Sequence, residues 1–169
     1  TDLEKAAIAL IKTCPELKRR YRLLLSIKGV GPRSAVRVLG ELSCLPADMG
    51  PKQWVAHAGL DPKRFQSGSS IDRPTRISRV GNVYLRHALY MPAVVGFTHE
   101  PHIRAFGQRL ISRGKAKLAA IIAICRKLLH AIHAMWHTDT CFDGSRFCPG
   151  HSTAEGLGGQ VLRPAKAAD

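Results

Sequence analysis

The segment SIKGVGPRSAVRVLGEL, residues 26–42, constrains the backbone more than any other stretch because it sets two glycines directly before a proline. Proline is tolerated in the first turn of a helix but not in its interior. One helix must therefore end at the Gly29–Gly31 pair, and another must begin near Pro32. The segment predicts two helices that are joined by a tight Gly-x-Gly turn.

Helical spacing of apolar residues extends over most of the chain and predicts a mainly α fold, a helical bundle that contains this helix-hairpin-helix element. Leu3, Ala7 and Leu10 form one apolar stripe, and a second stripe follows Pro15. The longest helix is predicted from about Lys115 to His137. Its predicted buried face consists of Leu118, Ile122, Cys125, Leu129, Ile132 and Trp136. Residues 61–80 hold few large apolar side chains and predict a loop or a short hairpin.

The same patterns divide the chain into three parts. Residues 1–22 are predicted to be helical lead-in segments and candidates for dimerisation, and residues 23–139 to form the main domain. From residue 140 to 169 the composition shifts to Gly, Ser, Pro and Ala without periodicity, which predicts a disordered tail.

The charge balance indicates the class of partner. Twenty-six Lys and Arg residues oppose twelve Asp and Glu residues, which leaves a net charge of +14, so a polyanion such as DNA or RNA is the expected partner. The longest apolar run, LAAIIAIC at 118–125, is shorter than the roughly 18 residues of a membrane span, and no membrane association is expected. Five cysteines without a signal peptide predict free thiols in a cytoplasmic protein.

The Gly-x-Gly turn is a candidate phosphate site of the helix-hairpin-helix kind. Glycines allow a close approach of the backbone, the N-terminus of a helix favours an anion, and Lys28 and Arg33 add positive charge beside Gly29 and Gly31. Such contacts hold the nucleic-acid backbone without distinguishing bases. The alternative is a turn that only joins two helices.

The segment FQSGSSIDRPTRISRVG, residues 65–81, has two interpretations. Ser-Gly-Ser-Ser is typical of flexible linkers. The arginines Arg64, Arg73, Arg76 and Arg79 also surround these serines and are candidate contacts for DNA. Cations of this kind stabilise both a serine alkoxide and the charged transition state of phosphoryl transfer. The residue types alone leave both interpretations open.

No metal or cofactor site is predicted in this chain. His130, His133 and His137 fall on one face of the last helix, a spacing that could bind zinc but is more typical of partly buried surface groups. The acidic residues are few and scattered, so no carboxylate cluster for magnesium is evident.

Four ordered blocks of sequence resemble one family. LLLSIKGVGPRSAVRVLGEL, WVAHAGLDPKRFQSGSS, RISRVGNVYLRHAL and SRGKAKLAAIIAICRKLLHAI follow one another as in the C-terminal half of the bridge-RNA-guided insertion-sequence transposases related to the pilin-gene invertase. The resemblance implies that residues 23–139 form the serine-bearing domain of such a transposase.

The resemblance also implies roles for particular residues. The catalytic serine of the family follows an Ala-Gly-Leu-x-Pro block, here Ala58 to Pro62, which makes Ser67 the implied nucleophile and a phosphoserine its intermediate. Ser69 and Ser70 are the alternative serines, which this alignment makes neighbours of the nucleophile. The residues implied to contact DNA or guide RNA are Arg76, Arg79, Asn82, Arg113, Lys115 and Lys117.

The family's remaining parts are expectations about a longer protein. The resemblance implies an N-terminal RuvC-like domain whose four acidic residues bind magnesium, and this domain is absent from the sequence. It further implies a dimer or larger homo-oligomer that acts on DNA in the bacterial cytoplasm.

Overall fold

The computed structural model describes residues 2–63, 66–67, 71–72, 76–78 and 80–148, and it has the predicted mainly helical architecture. The elements are α1 (Asp2–Thr13), α2 (Pro15–Leu25), α3 (Pro32–Ser43), α4 (Pro51–His57), β1 (Pro62–Lys63), β2 (Gln66–Ser67), β3 (Ile71–Asp72), β4 (Arg76–Ile77), α5 (Val83–His99), α6 (Pro101–Ser112), α7 (Lys117–Thr138) and α8 (Gly144–Phe147). The strands are two residues long, and each pairs antiparallel with one partner, β1 with β4 and β2 with β3. These short pairs lie in the region of residues 61–80 that was predicted to be a loop or a short hairpin.

Helix α7 lies at the centre of the core. It packs against α2, α4, α5 and α6, and it is long and apolar enough to cross a membrane by length and composition alone. Its buried residues are Ala120, Ile121, Ile124, Cys125, Leu128, Leu129, Ile132 and Met135. Burial raises the pKa of the Cys125 thiol to about 12. Contact with four other helices accounts for the apolar composition of α7.

The predicted buried face of α7 is correct only in part. Cys125, Leu129 and Ile132 are buried, but Leu118 is 60% exposed, and Ile122 and Trp136 are half-buried. The prediction assumed one narrow stripe, whereas helices on several sides of α7 bury a broader face that is shifted away from Leu118.

The apolar stripe of α1 is largely solvent-facing. Leu3 is 83% exposed and Leu10 67% exposed, and the buried residue of the helix is Ile11. Helix α1 contacts α2 and α3 and no other described element to a comparable extent, so only one of its sides is covered.

The prediction that disorder begins at residue 140 is wrong for residues 140–148. The Phe142 amide donates to Ser26 Oγ at 2.9 Å, and Phe147 is buried with its ring edge-on to Phe106, 5.7 Å between centroids. Two phenylalanines thus dock this segment on α6 and the end of α2, although the segment is too short to show periodicity. The prediction for 149–169 lies outside the described residues.

The turn between α2 and α3 is fixed by one glycine. Gly29 has φ +118°, and a Cβ atom there would lie 2.8 Å from both the Pro92 carbonyl oxygen and the Gly96 amide nitrogen of α5. Gly31, the N-cap of α3, has φ −83° and nothing within 4 Å of a Cβ position. Gly29 is therefore required by both conformation and packing, and Gly31 by neither.

We expect Gly29→Ala to lower the free energy of unfolding by about 3 kcal/mol, because it combines a disfavoured φ with a backbone collision. The matched Gly31→Ala change should cost about 1 kcal/mol or less, the usual loss at an N-cap. Urea denaturation of both variants measures the difference. Equal stability of the two variants would contradict the packing described for Gly29.

Candidate nucleic-acid interface

The segment that carries Ser67 starts from a well-defined helix end. Helix α4 stops in a Schellman motif, in which Gly59 with φ +64° donates to the Ala56 carbonyl and Leu60 donates to the Val55 carbonyl at 3.0 Å. Leu60 is 2% exposed. The chain therefore leaves α4 in a direction that is fixed by a buried side chain.

The two ends of the segment are joined by hydrogen bonds. Ser78 donates through Oγ to Asp61 Oδ1 at 2.6 Å and through its amide to the Asp61 carbonyl at 3.0 Å. The backbone amide of Asn82 donates to the His57 carbonyl at 2.7 Å. We call residues 57–62, 77, 78 and 80–82 together the stem; Arg79 lies outside the described residues.

Arg86 and Gly81 complete the stem. Arg86 Nη1 donates to the Ala58 carbonyl at 2.8 Å and lies 3.4 Å from the Gly81 carbonyl oxygen. Gly81 has φ +135°, and a Cβ there would collide with the His57 carbonyl. Arg86 was not singled out from the sequence, because its partners are backbone carbonyls that no residue pattern reveals.

Ser67 lies beyond the stem on β2. Its partner across the strand pair is Ile71, and Gln66 pairs with Asp72. Arg76 lies on β4 opposite Lys63, nearer the stem. The predicted nucleic-acid residues Arg64, Arg73 and Arg79 lie outside the described residues.

Asn82 is held by the fold. Its Oδ1 accepts from the Leu85 amide at 3.0 Å as the N-cap of α5, and its Nδ2 donates to Glu41 Oε2 at 2.6 Å. Both ends of this side chain have protein partners, so any contact with nucleic acid must share or replace them. The role of Asn82 as a nucleic-acid contact stays a prediction.

The two charged residues of the glycine turn differ in how available they are to a ligand. Lys28 is exposed, whereas Arg33 forms two contacts with Glu4 of α1, Nε to Oε1 at 2.6 Å and Nη2 to Oε2 at 3.1 Å. The hydrogen bond from Arg33 lowers the pKa of Glu4. Glu4 therefore holds Arg33 in the bidentate manner in which a phosphate would.

The three other predicted cations lie where α6 ends and α7 begins. Arg113 is the C-cap of α6, Gly114 follows with φ +84°, and the Lys115 amide donates back to the Leu110 carbonyl at 3.1 Å. Lys117 opens α7. Arg113, Lys115 and Lys117 are exposed, so this junction is a compact basic surface.

Comparison with known proteins places this geometry in a family. Residues 21–108, just over half of the chain, match the family described as Transposase IS116/IS110/IS902 family. The chain belongs to that transposase family. The matched region runs from α2 into α6, and it includes the glycine turn, the stem and β2.

Individual relatives agree with the family assignment. The pilin gene-inverting proteins of Moraxella bovis and Moraxella lacunata are each 37% identical over 144 residues, 85% of this chain and 45% of the relative. An uncharacterised 43.6 kDa protein of insertion element IS110 from Streptomyces coelicolor is 28% identical over 124 residues, 72% of this chain and 30% of the relative. The transposase-family chain spans less than half the length of these curated relatives.

Two of the three histidines of α7 in this transposase-family chain, His133 and His137, have structural partners. His133 Nε2 lies 3.1 Å from the Met49 carbonyl oxygen, His137 Nδ1 lies 2.9 Å from the His133 carbonyl oxygen, and the two rings stack with centroids 4.0 Å apart. Among the described residues, no three His, Cys, Asp or Glu side chains are grouped closely enough to hold a metal ion.

Two of these histidines have pKa values below the usual value of 6.5. Burial is the main cause for both His130 and His133. The charges of Arg126, Lys127 and Lys52 and nearby His133 add to the effect at His130, and His137 adds to it at His133. The folded state therefore favours the neutral imidazoles.

We expect the free energy of unfolding to be highest above about pH 6.5 and to fall between pH 6.5 and about 5, because the unfolded chain binds protons there more readily than the folded one. His133→Gln should make this fall shallower, since glutamine can still donate to the Met49 carbonyl but does not titrate. The measurement is urea denaturation at several pH values.

The control is His99→Gln, which removes an exposed histidine at the end of α5 and should leave the pH profile as in wild type. Stability that stays constant or rises from pH 7 to 5 would contradict the lowered pKa values. Below about pH 5 the carboxylates of the unfolded chain also take up protons, and the lowered pKa values of Glu4 and Asp143 then add a separate loss of stability.

Proposed function

We propose that this chain is the serine-bearing domain of a DNA transposase, which breaks and rejoins DNA by transesterification through Ser67. The observation that supports it best is the stem. Two sequence blocks of the resemblance, WVAHAGLDPKRFQSGSS and RISRVGNVYLRHAL, meet there through the Asp61–Ser78 and His57–Asn82 hydrogen bonds. A base held by these hydrogen bonds would attach the segment with Ser67 to the helical core.

The proposed step conserves phosphodiester bonds. Ser67 Oγ attacks the scissile phosphorus and loses its proton, a Ser–O–P bond forms, and one P–O bond to deoxyribose breaks. The departing sugar oxygen takes up a proton. A sugar hydroxyl of the second strand then attacks the phosphoserine, restores the DNA backbone and returns the serine to its hydroxyl form, so no nucleotide triphosphate is consumed.

Arginines would stabilise the charge that develops on the phosphoryl oxygens. A guanidinium binds two phosphate oxygens at once, and it stays protonated throughout. Arg64, Arg73, Arg76 and Arg79 are the candidates by sequence position. Arg64, Arg73 and Arg79 lie outside the described residues, so the proposal rests on the stem and the family.

Substrate binding is assigned to the basic surfaces. Lys28, the N-terminus of α3 at Gly31, and the junction residues Arg113, Lys115 and Lys117 would hold the phosphate backbone. Arg33 could join them only by exchanging the Glu4 carboxylate for a phosphate. Asn82 would contribute indirectly, because its side chain caps the N-terminus of α5.

The other components of the proposed transposase lie outside the sequence of this chain. They are a guide RNA, further copies in a dimer or tetramer, and a RuvC-like domain, all acting on DNA in the cytoplasm. The described carboxylates of this chain do not suit a magnesium site, since Glu4, Glu41 and Asp61 each bind a protein partner and no acidic cluster is found among the described residues. We therefore assign magnesium binding to the RuvC-like domain.

A second candidate function is a non-catalytic nucleic-acid-binding module of the helix-hairpin-helix kind. The open environment of Gly31 supports it, because a phosphate could approach the first turn of α3 without a steric obstacle. Both candidates predict affinity for DNA that falls steeply with salt, so binding alone does not distinguish them.

The serine assignment predicts a covalent adduct between protein and DNA. With the chain joined to its proposed RuvC-like domain, a suicide substrate that loses its leaving strand should trap the adduct in wild type and in Ser69→Ala, but not in Ser67→Ala. Denaturing gel electrophoresis with labelled DNA measures it. An adduct retained in Ser67→Ala would refute the role of Ser67, and a wild-type protein that binds this DNA without forming an adduct would favour the binding module.

The glycine-turn assignment predicts a loss of affinity without a change in sequence preference. Lys28→Ala should weaken binding to unrelated duplexes equally and reduce the slope of log affinity against log salt by about 1, the value for one lost phosphate contact. Lys18→Ala is the matched control, because it also removes one positive charge but from the exposed side of α2, away from the turn. Identical affinities for Lys28→Ala, Arg33→Ala and wild type would remove the turn from the binding surface.

A further inference from the structure

An apolar groove of about 570 Å³ opens beside the stem. It is lined by Phe106, Leu110, Leu118 and Ile122 of α6 and α7 and by Leu60 and Ile77. Leu118 is 60% exposed. This exposed leucine is the one that the sequence analysis expected to be buried, and solvent exposure of an apolar groove of this size is typical of a binding site.

The rim of the groove is positively charged. Lys115 and Arg126 are its charged lining residues, and no acidic residue is among those that line it in the described part of the chain. Neither cation forms an ion pair with a described carboxylate. An occupant must therefore combine an apolar face with negative charge beside it.

The position of the groove ties it to the proposed chemistry. Pro62 of β1 and Ile77 of β4 line it, and these two residues are paired at the base of the segment that carries Ser67. A nucleic-acid strand that is held at this base would pass the mouth of the groove.

We propose that the groove binds an unpaired nucleobase of a single strand, while Lys115 and Arg126 hold the phosphates on either side. The inference rests on the proposed function and adds to it a preference for unpaired over duplex DNA at this site. A base released from its stack loses apolar contacts on both faces, and an apolar groove replaces some of them. Recombination requires such unpaired nucleotides, because strands cannot be exchanged while they stay paired.

Size and charge favour a base over an acidic protein helix. The volume lies in the range of about 300–1,000 Å³ that is usual for small-molecule sites, and the groove is bounded by the stem on one side and the α6–α7 junction on another. A bounded groove suits one or two planar groups better than the continuous face of a helix. The net charge of +14 also attracts a phosphate backbone along its whole length.

The test compares two probes on the full chain. One is a fluorescent oligothymidylate of about ten nucleotides, within the range of single-strand sites, and the other is an abasic oligonucleotide of the same length. Leu118→Gln should weaken oligothymidylate binding about fivefold or more and leave binding of the abasic strand unchanged. Leu3→Gln removes a leucine of similar exposure from α1 and should change neither affinity.

A second variant separates the rim from the groove. Lys115→Ala combined with Arg126→Ala should weaken both probes and lower the salt slope by about 1.4, the value for two phosphate contacts on a single strand. Leu118→Gln should leave that slope as in wild type, because it removes no charge.

The outcomes distinguish this inference from the proposed function. If wild type binds no nucleic acid, the proposed function and the inference both fail. If wild type binds both probes and Leu118→Gln binds oligothymidylate as tightly as wild type, only the groove inference fails. If Leu118→Gln binds oligothymidylate as tightly as wild type and an acidic amphipathic peptide binds in the groove, the groove is instead a site for a protein partner.

Discussion

The burial of α7 is the interaction on which the rest of the structure depends. This helix contributes eight buried residues and touches α2, α4, α5 and α6, so it sets the relative positions of the helices that carry every candidate site. Helix α5 packs against α7, and its backbone at Pro92 and Gly96 lies directly against Gly29. Helix α4, also held against α7, ends in the Schellman motif from which the stem begins. The hydrophobic core thus fixes both the glycine turn and the stem, although neither contains a residue of α7.

Local signals in the sequence were sufficient for the helices and the turn. Pro32 directly after the Gly-x-Gly pair defines the start of a helix by backbone chemistry that involves only a few neighbouring residues. Helix α3 begins at Pro32 as predicted, and α7 spans Lys117–Thr138 where a helix from about Lys115 to His137 was predicted. The family blocks were also identifiable, because they are contiguous and occur in a fixed order.

Long-range features could not be predicted in the same way. The exposure of Leu3, Leu10 and Leu118 depends on which neighbours cover a helix, and periodicity reports only that an apolar face exists. The contact between Arg33 and Glu4 joins residues 29 positions apart, and Phe142 reaches Ser26 across 116 positions. For the same reason, the sequence placed Asn82 among the implied nucleic-acid contacts. It could not show that the Asn82 side chain already forms hydrogen bonds with Glu41 and the Leu85 amide.

The distribution of charge follows from the shortage of carboxylates. Several of the twelve acidic residues serve the fold, Glu100 by capping α6 and Asp61 by closing the stem. Cations at the α6–α7 junction are left without a described carboxylate partner, and mutual repulsion there must raise the free energy of the folded chain. A polyanion relieves that repulsion, so binding it would stabilise the fold as well as position the substrate. The proposed role of the positive surface beside the stem accounts for this cost, which a surface of mixed charges would avoid.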